Sequence, residues 1–446
     1  MATLSLSLTR LIRGRAVESS DLRTAERYVR DWLGSFVAGG ATPAGAMLRA
    51  YARQRPDLEG RVFLAAALSH ITETDDLHRA SITHPACVVV PVSLLLAREL
   101  DASGPAALRA VLSGYEAMLR VGEALGPSHY RIFHNTATAG VFGAAAAAAT
   151  LLELDEAAWV WALGNAGTQA AGLWQFNEDA TMSKHLHAGH AAEAGLRAAL
   201  LAREGFTGPA AILEGEMGFF RGFCPDPLPG RVLAPSNGWK LAETSLKPYP
   251  SCRHTHPAID AALEIRRGLG ENELAMAAEI RIASYPAALR VTDNCTPRTP
   301  YAARFSLQFC VATALAHGWP GMHAFDADRI GDGDALVHDL MDRTRVRVDE
   351  DLAAAYPARW GAAVEVVWPD GQRLGARREV AKGDPEDALG EAELSAKVLD
   401  SMAYGGLGQE DAEALLGWCG RLVLGDRVAG SASPFPPDEF AQADFI

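Results

Sequence analysis

The sequence lacks the signatures of the common nucleotide and cofactor chemistries. No G-x-G-x-x-G follows a strand-like run, no P-loop lysine motif appears, and no G-x-S-x-G elbow is present. Nucleotide cofactors and serine hydrolysis therefore have no support. The six cysteines, Cys87, Cys224, Cys252, Cys295, Cys310 and Cys419, are dispersed and form no C-x-x-C pair. That excludes a zinc ribbon or disulfide framework and suits a reducing cytoplasm. A broad basic surface is missing too: 41 Lys and Arg against 55 Asp and Glu leave a net charge of -14. This balance argues against nucleic acid as a partner. The first twenty residues lack the continuous apolar core of a secretory signal. The apolar stretch 137–154 is mostly alanine and glycine, with Glu153, Asp155 and Glu156 at its end. It reads as a close-packed internal helix rather than a membrane span.

What is present begins with size. At 446 residues, 49% hydrophobic and 22% charged, the chain can build two or three domains around a substantial core. The first 270 residues read as mostly helical. Val29, Trp32, Leu33, Phe36 and Val37 recur at helical spacing after Asp21, a candidate N-cap. Alanine-rich runs at 141–152 and 191–203 suit helices packed closely together. From about 275 the pattern changes to alternation. Residues 279–284 and 344–348 read as half-buried strands. Residues 362–368 and 372–380 flank Pro369-Asp370-Gly371 and read as a hairpin. Beyond 386 the helical pattern returns, and the proline-bearing tail 431–446 reads as loop. The expected fold class is mainly α: a large, discontinuous all-helical domain over 1–268 and 389–446, with a smaller α+β lid domain over 269–388.

Four segments concentrate chemistry. Residues 247–260, KPYPSCRHTHPAID, pack Lys247, Arg253, His254 and His256 together in an acidic protein. Pro248 and Pro250 hold this run out of a helix, and Pro257 suits the first turn of the next one. Such a loop fits binding of a small anion. Residues 70–85, HITETDDLHRASITHP, bring Glu73, Asp75, Asp76, His78 and His84, the raw material either of acid–base catalysis or of a helix cap and a solvated face. Residues 130–136 run from Tyr130 and Arg131 to His134, which stands where the chain enters a glycine- and alanine-rich helix. That helix start suits a carboxylate, and His134 suits a capping role equally. In SKHLHAGH, residues 183–190, the spacing of His185, His187 and His190, with Asp179 nearby, invites a metal, but Lys184 in their midst would repel a cation. Lys184 is better placed as an anion contact, or as a base where burial lowers its pKa.

Taken in order, these segments resemble the MmgE/PrpD family of 2-methylcitrate dehydratases, cis-aconitate decarboxylases and an iminodisuccinate epimerase. The marks are HPACVVVP at 84–91, FHNTATAGVFGAAAAAA at 133–149, SKHLHAGHAAEAGL at 183–196, GFTGPAAILEGEMGFFRGF at 205–223, KPYPSCRHTHPAID at 247–260 and PRTPYAARFSLQFCVA at 297–312. The resemblance implies a homodimeric, cytoplasmic enzyme with a helical domain and an α+β lid, whose site lies in a cleft and needs no metal or organic cofactor. It implies a small polycarboxylate substrate, a dehydratase as first choice, an epimerase as the alternative, and decarboxylation as a third outcome. It implies catalytic or substrate roles for His84, His134, Lys184 and His256. Glu73 is a further catalytic candidate, Lys247 and Arg253 of the cationic loop are expected to hold substrate carboxylates, and Asp75, Asp76, Tyr130, Arg131, His187 and His254 are further candidates for substrate contact. Two departures stand out. Glu73-Thr-Asp-Asp-Leu77 replaces the usual Asp-Phe-Asp-Asp-Thr, and Asn135 follows His134 where proline is usual.

Overall fold

The computed structural model describes residues 2–179, 181–330 and 333–429; the expected loop at 431–446 lies outside them. The chain forms two compact units, one of 1–71, 75–244 and 401–446, the other of 72–74 and 245–400. Their edges at 244/245 and 400/401 lie outward of the expected 268/269 and 388/389.

The first unit is helical. Its centre is the helix Asn135–Leu151, packed against Ala86–Glu99, Gly104–Glu123, Glu156–Gly167 and Ser183–Arg203. The alanines from Ala144 to Ala149 are wholly buried, which tests the close-packing reading directly. A Cβ on Gly195 would stand 2.4 Å from the Ala144 Cβ, and one on Gly143 would stand 2.7 Å from the Met118 Cβ. Small side chains let these backbones approach to a distance that larger ones forbid. No helix among the described residues is long and apolar enough to cross a membrane. Asp21 proves to be the third residue of Ser19–Gly40 rather than its N-cap; its carboxylate accepts from the Glu18 amide at 2.8 Å.

The second unit holds a four-stranded sheet in the order β2-β1-β3-β4, with β1 Glu279–Ser284, β2 Thr344–Val348, β3 Ala362–Val367 and β4 Arg373–Arg378. β1 pairs in parallel with β2 and antiparallel with β3, and β3 and β4 form the antiparallel hairpin. Gly371 turns that hairpin with φ at 85°, where glycine carries no Cβ penalty. The helices His256–Arg266 and Leu307–His317 pack against each other and against the sheet. Ile280, Ile282, Val364 and Val366 supply the sheet's share of that core. The fold is thus mainly α with one small α+β region, as the sequence pattern predicts.

Candidate functional site

The expected site residues divide between the units. Asp75, Asp76, His84, Tyr130, Arg131, His134, Lys184 and His187 belong to the first, and Glu73, Lys247, Arg253, His254 and His256 to the second.

In the first unit, the helix Leu58–Ser69 ends at His70, and the chain returns through a buried loop to the helix Ala86–Glu99. Asp76 anchors that return. Its Oδ1 accepts from the Ala86 amide at 3.0 Å and its Oδ2 from the Tyr115 hydroxyl at 2.8 Å. It thereby satisfies an orphan donor at the helix start. Burial pushes the Asp76 carboxyl well above its ordinary range. Its neighbour Asp75 has a different duty. One oxygen, Oδ2, lies 2.6 Å from the Nδ1 of His70 and 3.3 Å from the Nδ1 of His84. His70 stacks on His134 with ring centroids 5.6 Å apart and meets His84 edge-on at 5.0 Å. His134 caps the helix Asn135–Leu151 with its backbone, donates its amide to the Gly172 carbonyl, and sets its Nδ1 3.3 Å from the His187 Nδ1. Lys184, on the first turn of Ser183–Arg203, is buried beside this group.

These neighbours fix the charge of the cluster. Burial first, then His70, His187 and Lys184, hold His134 well below the usual histidine range. Burial and the same cationic neighbourhood lower His187 to about 4. The rings are therefore neutral at pH 7; across the Nδ1–Nδ1 contact one donates and the other accepts, and the donating ring keeps a lone pair on Nε2 as a proton acceptor. Burial and the carboxylates of Asp75 and Asp76 push the Cys87 thiol upward, which leaves it a poor nucleophile.

The triple-histidine spacing does not assemble a ligand set. His187 turns toward His134, while His190 Nε2 donates to the Gln169 carbonyl at 3.1 Å. The ligand-type groups that do converge among the described residues are His70, Asp75 and His84, and His78, Glu123 and Glu243. In the second, the Lys240 Nζ lies 2.9 Å from each carboxylate, so an ammonium already stands where a cation would. Tyr130 packs edge-on against Trp174, and Arg131 is exposed.

In the second unit the cationic loop is turned inward. The Lys247 Nζ is fully buried, donates to the Glu73 carbonyl at 3.0 Å and lies 3.3 Å from its Oε2. Arg253 pairs with Asp384 and donates to the Lys382 carbonyl and to the His256 Nδ1, each at 2.9 Å. His256 in turn donates from Nε2 to the Ser251 carbonyl at 3.2 Å, so both its nitrogens are engaged. Burial and then Arg253 hold it neutral, well below the usual range. His254 stacks on Trp360 and bonds the Tyr285 hydroxyl at 2.6 Å, and burial lowers it to about 3. A buried guanidinium needs such partners, because an unpaired one costs several kcal/mol, on the order of 3–5 when a partner is removed.

The tripeptide Thr72–Glu73–Thr74 shows the same logic. Arg304 donates to the Thr72 carbonyl at 2.9 Å, Lys247 to that of Glu73 at 3.0 Å, and Lys397 to that of Thr74 at 2.6 Å. Glu73 sits at φ 57°, an uncommon conformation for a residue with a Cβ. The sequence pattern does not single out His70, Arg304 or Lys397 as site residues. Arg304 falls inside the mark at 297–312, and His70 inside the acidic segment, but neither spacing nor charge marks Lys397.

Comparison with known proteins gives the family. Residues 10–231 match the MmgE/PrpD N-terminal domain and residues 249–418 the MmgE/PrpD C-terminal domain. The chain is 25% identical to cis-aconitate decarboxylase of Homo sapiens over 357 residues, 75% of this chain and 70% of that one. It is 25% identical to cis-aconitate decarboxylase of Mus musculus over 417 residues, 84% of this chain and 81% of that one. A cis-aconitate decarboxylase-like protein of Aspergillus oryzae is 30% identical over 227 residues, 47% of each chain. With both domains matched in order across most of its length, the chain belongs to the MmgE/PrpD family.

Proposed function

We propose that this protein is an acid–base lyase acting on a small tricarboxylate, moving a proton at a carbon next to a carboxylate without an organic cofactor. The observation that carries the reading is the buried imidazole cluster of the first unit: His70 and His84 on one carboxylate, with His134, held neutral, beside Lys184. Neutral imidazoles accept or return a proton at pH 7, and the Lys184 cation steadies a carboxylate or the negative charge that develops on it. Among possible bond changes, decarboxylation is favoured by the relatives. The carbon–carbon bond to one carboxylate breaks, its electron pair stays on the carbon and delocalises into the neighbouring unsaturated acid, and a proton fills the position left by carbon dioxide. Dehydration is the second reading, favoured by the motifs shared with 2-methylcitrate dehydratases. Leu77, buried and without a hydroxyl where threonine is usual, fits a reaction that expels no hydroxyl group.

The test is an NMR screen in deuterated water with cis-aconitate, citrate, 2-methylcitrate and an amino-dicarboxylate. Carbon dioxide release with one deuterium on the product carbon supports decarboxylation. Loss of water supports dehydration, and deuterium wash-in with an unchanged skeleton supports epimerisation. Under each outcome, His84→Ala and Lys184→Ala should lower turnover by about 10²–10⁴-fold, the usual worth of a positioned acid or base. No exchange and no product with any of these acids overturns the proposal.

A further inference from the structure

We propose that His70 is a positioning residue that shares the Asp75 carboxylate with His84 and so limits how strongly that carboxylate holds a proton on His84. The inference rests on reading the first unit's imidazole cluster as the reacting site. A carboxylate oxygen only accepts, so the His70 Nδ1 that bonds Oδ2 is the donor, while the His84 Nδ1 stands near the same oxygen outside hydrogen-bond geometry. The His70 ring then carries its lone pair on Nε2. The two contacts are unequal: 2.6 Å to His70 and 3.3 Å to His84. The shorter bond to His70 takes the larger share of the carboxylate's charge. The His70 Nε2 is fully buried and has no hydrogen-bond partner. A purely structural histidine in a core normally satisfies both nitrogens. His129 does so one helix entrance away, through Phe223 and Thr138.

The same ring lies flat on His134 and edge-on to His84, so it touches both of the histidines assigned to proton transfer. The titratable groups around this cluster are Asp75 and Asp76 on the return loop, Cys87 on the next helix, His134 and His187 across it, and Lys184 on the Ser183–Arg203 helix. Among these, Asp75 is the carboxylate within bonding reach of His84. With the carboxylate undivided, His84 would keep its proton to higher pH.

Two variants separate the donor from the ring. His70→Asn places an amide N–H near the position of Nδ1 but removes the stack, whereas His70→Phe keeps the stack and removes the donor. The full-length chain, labelled with ¹⁵N only in histidine, is titrated by NMR, with the His84 resonance assigned by its loss in His84→Gln. The expected result is an upward shift of the His84 midpoint by about one pH unit in His70→Phe, and a midpoint near wild type in His70→Asn. A merely structural role would lower the melting temperature of both variants and leave the midpoint alike in both. An unchanged or lowered midpoint in His70→Phe overturns the proposal, as does an equal shift in the two variants. Should His70→Phe fail to fold, His70→Leu supplies the donorless arm. The readout needs no substrate, so it stands apart from success or failure of the carboxylate screen.

Discussion

Lys247 and Glu73 form a buried pair whose members are 174 positions apart in sequence. Neither side chain has water to fall back on: Lys247 is 0% and Glu73 2% exposed. Removing one partner takes away a buried charge contact that water cannot replace, so Lys247→Met should cost on the order of 3–5 kcal/mol. Glu73→Gln keeps an oxygen that can accept from Nζ and should cost less. The double variant should be more stable than Lys247→Met alone, because the buried negative charge that faced Nζ is removed with it. Urea unfolding of the four proteins closes the cycle, and strictly additive costs would show that the pair is not energetically coupled. The same scale explains what the sequence conceals. Lys247, Arg253 and His256 read as ligands for an external anion because their partners lie far along the chain. Arg253 finds Asp384, and Lys247 finds Glu73, only once the second unit has folded. His70 escapes notice for the opposite reason. Its partner Asp75 is five positions away, a spacing that matches neither helix nor strand and depends on a loop turning back after the helix end.

The elements were far more legible. Strand alternation at 279–284 and 344–348, the Pro-Asp-Gly turn and the entry of His134 into its helix all follow from local rules, and all four strands form as the pattern predicts. The alanine-rich runs also announced close helix packing. What they could not give is which helix meets which, because alanine offers no shape to match. Glycines at the crossings carry that information. A Cβ at Gly195 would meet the Ala144 Cβ at 2.4 Å and the Val141 carbonyl at 2.6 Å, neither of which can step aside. Gly195→Ala should therefore destabilise by about 1–3 kcal/mol through overpacking, despite alanine's better helix propensity. A fall in melting temperature checks this; a rise would mean that the crossing has slack.

At the scale of the whole molecule, neutral buried histidines make the fold acid-sensitive. His134 and His256 are held well below their ordinary value and His254 at about 3, chiefly by burial. Folded, these rings stay neutral; unfolded, they take up protons as pH falls below 6.5. Their contribution is therefore complete above that value and is lost progressively as pH falls toward each depressed pKa. His254 alone should remove about 1.4 kcal/mol for each pH unit below 6.5 until its folded pKa is reached. Urea midpoints measured between pH 7.5 and 4.5 should fall accordingly, and a flat profile would count against neutral rings in the core. Asp76 works the other way, since its raised pKa costs stability as pH climbs above 3.8. The clamp on residues 72–74 carries a further consequence, for how this protein can be taken apart. Arg304, Lys247 and Lys397 each donate to a main-chain carbonyl of three consecutive residues, and Lys247 alone also reaches a side chain there, the Glu73 carboxylate. Position 73 can thus exchange aspartate for glutamate while the path of the backbone stays where it is. The same arrangement means that the sheet-bearing unit is visited twice by the chain, with a stretch of three residues, 72–74, separated from the rest by residues 75–244. No single pair of cuts excises it whole, and a fragment beginning at Ser245 would carry three buried cations away from the carbonyls that receive them.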